Sequence, residues 1–321
     1  MAYKVAVLRG GPSSEYDVSL KTGKAVIAAL CDSHHVCDIT IDQDGRWYKD
    51  GIEVKPASVL RDMDVVFNAM HGEYGEDGKV QQLLESINAK FTGPTAFGAA
   101  LSMHKAKAKE VYKQHGLKTP LWLIATKPDN VELQARDIIK QMPLPVIVKL
   151  VDKGSSVGIA IANSYHELVD ILNELYTHDD TLLVEEFIKG KEGTVGVIEK
   201  FRNQEVYPLL PIEIIPPAHK DFFDYECKYD GSTREICPGT FTRSESEEMQ
   251  RAAIAAHRAL GLRHYSRTDF IVHPKRGVYV LETNALPGLT GESLLPKALE
   301  PIGSNYKAFL EHILDLASKQ K

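Results

Sequence analysis

Residues 267–293, RTDFIVHPKRGVYVLETNALPGLTGES, constrain the chain more than any other stretch. Two runs rich in β-branched residues flank Pro-Lys-Arg-Gly, which is the signature of a β-hairpin. With residues 274–277 as a four-residue loop, His273 pairs with Val278 and Asp269 falls opposite Glu282. Alternate residues of a strand share a face, so Glu282 and Asn284 project together. Asp269, Glu282 and Asn284 then converge as hard oxygen ligands, the kind Mg²⁺ takes alongside water and phosphate oxygens. Acids on a solvated hairpin face would show the same spacing. Arg267 on the face of Asp269, and the Pro-Gly-Leu-Thr-Gly break soon after Asn284, favour a metal site.

A chain of 321 residues is too long for one ordinary core, so two or three domains are expected. Its 38 basic residues against 44 acids give a net charge of −6, which leaves no electrostatic footprint for nucleic acid. No apolar run approaches a membrane span, and MAYKVAVLRGG enters a strand without the layout of a signal peptide. Four cysteines (Cys31, Cys37, Cys227, Cys237) are no disulfide framework at this length and read as reduced cytoplasmic thiols. His34-His35 beside two of them lacks zinc-ligand spacing.

The beginning is α/β: a strand at 5–8, a turn at 9–14 and a helix at 18–30, without the G-x-G-x-x-G of a dinucleotide fold. Glu15 sits beyond the carboxyl end of that strand, where open α/β sheets bind ligands. An acid there also suits a helix N-terminus. A strand at 64–68 runs into HGEYGEDG, whose three glycines imply unusual backbone angles or a close ligand. His71 at its start reads either as a contact to a substrate carboxylate or as a structural loop histidine. A helix follows at 79–87.

A boundary is expected near Gly93-Pro94, then a helix at 102–115 whose Lys105, Lys107 and Lys109 read as a solvated basic face. A strand at 121–125 and a helix at 130–141 lead to Lys149, at the end of the strand PVIVK. The Gly/Ser loop after it, with Ser155 and Ser156, offers N–H groups and hydroxyls to phosphates. It is not the G-x-x-x-x-G-K-[ST] loop of a P-loop NTPase. After a strand at 159–162, Ser164 and Glu167 read as a capping box. Strands follow at 182–188, 194–199 and 205–211, with residues 189–193 as a turn. The aromatic-rich stretch 222–231 reads as a lid or binding loop. A helix at 245–260 precedes the hairpin, and Tyr306, Leu310, Ile313 and Leu314 form the core stripe of a last helix. The residues alone lead as far as a Mg²⁺-nucleotide enzyme of α/β type.

Taken in order, GGPSSEYDVSL, HGEYGEDG, KLVDKGSSVG, EEFIKGKEGTV, DYECKY, SRTDF and LETNALPGLTGESLLP resemble the D-alanine–D-alanine ligases of the ATP-grasp superfamily, across essentially the whole chain. The resemblance implies an α/β (α+β) ATP-grasp fold of three α/β domains. These are a Rossmann-like pre-ATP-grasp domain at 1–94, a central lobe at 95–190, and a C-terminal lobe at 191–321 carrying the lid loop and the Mg²⁺ site. It implies ATP-dependent ligation of two D-alanines through an acylphosphate, giving ADP and phosphate, for peptidoglycan precursor synthesis in a cytoplasmic homodimer. D-alanine–D-lactate ligases, other ATP-grasp carboxylate–amine ligases and a catalytically dead nucleotide-binding protein are the alternatives.

Residue roles follow from the same resemblance. Lys105 and Lys149 would contact the ATP phosphates, so the solvated reading of Lys105 gives way. The backbone of Glu185, Glu186, Phe187 and Ile188 would hold adenine and Glu192 the ribose, with Ser156, Phe222, Lys228 and Asn284 also on the nucleotide. Asp269, Glu282 and Asn284 would hold two Mg²⁺ ions, with Mn²⁺ as a substitute. Glu15 would meet the first D-alanine's ammonium, with His71 and Leu294 in the substrate site, and Ser293 would bind the second D-alanine's carboxylate. Arg267 and the Gly288 N–H would stabilise the oxyanion, while Tyr229, Ser155 and Glu15 would link the lid to the other domains. Tyrosine at 229 favours an amine over a hydroxy acid as acceptor. Three positions depart from the family pattern: His104 where aspartate is usual, Leu150 where proline is, and Gly193 where a bulky residue is.

Overall fold

The protein is described here from a computed structural model covering residues 2–152, 158–217 and 233–320. Its first unit follows the order β1 (Lys4–Gly10), α1 (Tyr16–Leu30), β2 (His35–Ile41), β3 (Trp47–Lys49), β4 (Ile52–Val54), α2 (Pro56–Leu60), β5 (Val65–Asn68) and α3 (Lys79–Ser86). The sheet runs β4-β3-β2-β1-β5, with β1 parallel to both β2 and β5. Chain order reverses at β1, so a crevice opens outside the carboxyl ends of β1 and β5. Glu15, the N-cap of α1, and His71, just past β5, belong to those ends.

Next come α4 (Ala96–Met103), α5 (Lys105–Gln114), β6 (Trp122–Thr126), α6 (Val131–Gln141), β7 (Val146–Leu150), β8 (Ile159–Ala162), α7 (Tyr165–Leu175) and β9 (Thr181–Glu186). The four strands form an antiparallel sheet ordered β6-β9-β7-β8. Val146, Val148, Leu182 and Val184 pack on Ile138 of α6 and on Leu168 and Leu172 of α7. Side chains alternate across a strand, which turns Ile147, Lys149 and Glu185 to the opposite face, where they line a cavity.

The last unit contains β10 (Lys191–Glu199), β11 (Val206–Pro208), β12 (Ile212–Ile215), β13 (Arg234–Ile236), α8 (Arg243–Ala259), β14 (Tyr265–His273), β15 (Gly277–Asn284), α9 (Leu294–Lys297) and α10 (Tyr306–Ser318). Its sheet is ordered β13-β12-β10-β14-β15, with β11 paired to β10. Met249, Ala253 and Ala256 of α8 cover Val195, Phe270 and Val280. The other face carries Thr194, Arg267, Asp269 and Glu282. Finally α10 returns to the first unit, and Phe309, Leu310, Ile313 and Leu314 join one core with Val5, Val26, Leu30 and Phe67.

Several expectations need correction. The helix foreseen at 102–115 is two helices, broken at His104, whose extended backbone ends α4 and begins α5. Residues 191–193 belong to β10 rather than to a turn, because Glu192 pairs with both Ile271 and Ile214. The strand foreseen at 205–211 is the short β11, with β12 beginning only at Ile212. Ser164 does cap α7, but the Glu167 carboxylate accepts from the Asn163 amide at 2.9 Å instead of closing the box. A reciprocal box instead opens α8, between Thr242 and Glu245. The stretch 222–231 lies outside the described residues. Among the described residues no helix is long and apolar enough to cross a membrane.

Candidate active site

The hairpin reaches the expected pairing by a different route. His273 pairs with Gly277, not Val278, and Phe270 with Val280. A bulge between Asp269 and Phe270 then leaves Leu281 as an extra residue, so Asp269 still faces Glu282 and Arg267 faces Asn284. The Arg267 guanidinium donates from Nε and Nη2 to the two Asp269 oxygens, each at 3.1 Å. Asn284 Nδ2 donates to Asp269 Oδ2 at 2.9 Å, and Thr194 Oγ1 donates to Oδ1. Burial opposes the Arg267 charge, yet Asp269, Glu282 and Glu76 together raise its pKa. Among the described residues no three His, Cys, Asp or Glu side chains cluster as a metal site, so the candidate ligands are two carboxylates and an amide.

Above this hairpin a cavity of about 730 Å³ lies between the second and third sheets. Ile147, Ile159 and Ile161 give it an apolar wall, and Lys149, Glu192 and Asp269 give it charge. Glu185 to Ile188 form its edge. The amides of Glu186 and Phe187 donate to Leu121 O at 2.9 Å and Pro145 O at 3.3 Å, so neither is aimed at a ligand. Arg276 pairs with the Glu186 carboxylate. Lys105, at the start of α5, is held by its own amide on Val151 O, and its Nζ lies 3.9 Å from Glu282 Oε2.

Behind Lys149 lies a cluster of charges. Lys149 Nζ donates to Glu185 Oε2 at 3.0 Å, and Lys109 Nζ stands 3.3 Å from Glu185 Oε1. Lys109 and Glu185 are each 1% exposed. Burial pushes the Lys109 ammonium down to about 8 while Glu185 pulls the other way. The carboxyl of Glu185, despite its burial, is held below its ordinary value by the two lysines. Lys109 therefore corrects the reading of a solvated basic face, and on that helix Lys107 alone of the three is exposed.

A second cavity of about 580 Å³ opens between the first and third units, lined by Glu15, His71, Arg267, Gly288, Ser293 and Leu294 among others. Glu15 caps no helix amide with its side chain. The His71 ring is occupied on both sides, with Nε2 2.8 Å from Thr22 Oγ1 and Nδ1 3.2 Å from Glu76 Oε1. Burial disfavours a charged His71, but Glu76 and Glu15 outweigh it and raise its pKa. Gly72 has φ +72, and a Cβ there would lie 2.2 Å from Ser13 Oγ and 3.0 Å from Glu15 Oε2, so only glycine fits. Ser293 Oγ accepts from Thr290 N at 3.0 Å beside Gly288. Arg267, Glu282 and Leu294 line both cavities.

Of the residues singled out in the sequence, Ser155, Ser156, Phe222, Lys228 and Tyr229 lie outside the described residues. The others gather around the two cavities. Lys109, Glu76 and Thr194 went unrecognised. The four-residue step from Lys105 to Lys109 was a usable signal for the first, since it places both on one helix face. The departures are each accommodated locally. His104 caps α5 by accepting from Lys107 N at 3.4 Å. Leu150 uses the amide that a proline would lack, donating to Gly158 O at 3.2 Å. The space over Gly193 is filled by Met249 and Phe241, each with an atom 2.7 Å from where a Cβ would stand.

The family described as D-ala D-ala ligase C-terminus matches residues 111–315, and its N-terminal counterpart matches 4–58 and 49–94. A D-alanine–D-alanine ligase of Halalkalibacterium halodurans is 37% identical over 321 residues, covering 99% of this chain and all of that one. Among solved structures, the VanG D-Ala:D-Ser ligase of Enterococcus faecalis superposes with a TM-score of 0.86 at 27% identity, covering 99% of this chain and all of that one. The D-alanine–D-alanine ligase of Bacillus anthracis, complexed with ATP, superposes with a TM-score of 0.80 at 29% identity, covering 98% of this chain and 97% of that one.

Proposed function

The chain belongs to the D-alanine–D-alanine ligase family, and from that premise we propose how its own residues carry the reaction. It is an ADP-forming ligase of the ATP-grasp fold that joins two D-alanines with ATP in cell-wall precursor synthesis. The D-alanine–D-lactate and dead-site alternatives are not favoured. The observation that carries the residue assignments is the wall common to the two cavities. Arg267 and Glu282 border both, so a phosphate in one and a carboxylate in the other can meet there.

The larger cavity takes the nucleotide, with its base against the isoleucines and the edge at Glu185, Glu186, Phe187 and Ile188, and its ribose at Glu192. Lys105 and Lys149 hold the phosphate oxygens. Asp269, Glu282 and Asn284 supply hard oxygens that suit Mg²⁺, and the surplus of lysine and arginine nearby calls for anionic ligands. Two such ions, replaceable by Mn²⁺, would neutralise charge on the phosphates when bound. Ser156, Phe222 and Lys228 complete the nucleotide contacts in this reading.

The smaller cavity takes the amino acids. Glu15 meets the first D-alanine's ammonium, and His71, held by Thr22 and Glu76, shapes the wall beside it. The carboxylate attacks the γ-phosphorus, the bond to ADP breaks, and an acylphosphate remains. Lys105, Lys149 and Arg267 oppose the charge on the moving phosphoryl group. Ser293, next to Leu294, holds the second D-alanine by its carboxylate while its amine attacks the acyl carbon. Arg267 and the Gly288 N–H then hold the oxyanion until phosphate leaves. Tyr229, Ser155 and Glu15 link the lid loop to the other domains, and the closed lid excludes water. The domains divide at 94 and 190, and the chain acts as a cytoplasmic homodimer, both on the family resemblance.

The test is phosphate release from Mg-ATP with D-alanine, L-alanine, D-serine or D-lactate as acceptor, with products resolved by mass. D-alanyl-D-alanine formed from the D-isomer alone is the expected product. Asp269→Asn is expected to lower kcat by about 10²-fold. Full activity in that variant would remove the hairpin from the reaction.

A further inference from the structure

We propose that Lys109, which lines neither cavity, is a positioning residue for nucleotide binding that acts on Lys149 through Glu185. The inference rests on the reading of the larger cavity as the nucleotide site. Glu185 is buried between the two lysines, one carboxylate oxygen turned to each. Alone with Lys149 it would cancel that lysine's charge and hold it with both oxygens. Lys109 supplies the second positive charge, so the cluster keeps a surplus of one and Lys149 gives only part of its donor capacity to the protein.

Lys109 is itself fixed from behind. Its Nζ donates to Thr119 Oγ1 at 2.7 Å and stands 5.8 Å from the centroid of the Trp122 ring. Trp122 pairs with Glu185 across β6 and β9, so ring, carboxylate and lysines belong to one layer. The same helix carries Lys105 to Glu282 four residues earlier. A purely structural buried ion pair would tolerate neutral replacement of both partners without touching substrate affinity. A relay to Lys149 would not tolerate loss of the lysine alone.

The experiment is steady-state kinetics of the full-length enzyme, with ATP and D-alanine varied separately. Lys109→Met is expected to raise KM for ATP by about ten-fold, with kcat and KM for D-alanine changed less than about three-fold. Lys109→Arg should stay near the parent value. In case Lys109→Met does not fold, Thr119→Val removes the lysine's anchor without changing any charge, and should raise KM for ATP by roughly three-fold. An unchanged KM for ATP in folded Lys109→Met or Thr119→Val overturns the proposal. Lys149→Met is the control. If it too leaves KM for ATP unchanged, the nucleotide reading of the cavity has failed rather than the relay.

Discussion

Single residues show where composition misleads. Lys105, Lys107 and Lys109 look alike in the sequence, yet one faces a carboxylate at the site, one is exposed and one is buried. A charge run does not say which of its members turns inward, because the partner (Glu185) lies 76 positions further on, in another strand. Asp269, Glu282 and Asn284 were legible because their partners are local and strand alternation is strict. Gly193 was legible only as a departure. The structure explains it by volume, since Phe241 and Met249 occupy the place of its side chain. Gly193→Leu is therefore expected to lower stability by about 1–3 kcal/mol through overpacking. Thermal unfolding of the purified variant checks this, and an unchanged melting temperature would mean that the two neighbours move aside freely.

At the scale of elements, long helices and buried strands were readable and short edges were not. The strands β3 and β4 went unplaced, because they are three residues each and owe their existence to pairing with neighbours, and the interior strand β2 was missed as well. The hairpin shows that a correct facing pair can come from a wrong count. The loop is one residue shorter than expected, and the bulge at Leu281 returns the offset before Asp269 and Glu282 are reached. The break between α4 and α5 also escaped, since histidine is a weak signal for a helix start. Its ring accepts at 3.4 Å, and burial together with Lys107 keeps its pKa low, so the ring serves as a neutral acceptor. A shorter, charged acceptor should serve α5 better. His104→Asp is expected to stabilise the protein by roughly 0.5–1 kcal/mol. Chemical denaturation midpoints would expose an error if the variant proved weaker than the parent.

For the whole molecule, length demanded more than one core, but nothing local announced that α10 would return to complete the first one. That closure is sealed near His264, whose Nδ1 accepts from Gly93 N at 3.0 Å while Arg263 Nε donates to Gly93 O at 3.2 Å. Burial, aided by the Arg263 charge, pushes His264 down to about 3. The folded state thus holds its proton less tightly than the unfolded chain, whose histidine titrates near 6.5. Stability from this group is complete above that value and is lost as pH falls toward 3, on the order of a few kcal/mol in all. Urea midpoints measured from pH 7 to pH 4 should fall more steeply in the parent than in His264→Gln, and equal slopes would refute the assignment. The wall between the two cavities has a further consequence, for drug resistance. A compound spanning it would touch Arg267 and Glu282, which border both cavities and, in the proposed assignment, serve both substrates at once. Escape by substitution at those positions would disarm the enzyme along with the inhibitor.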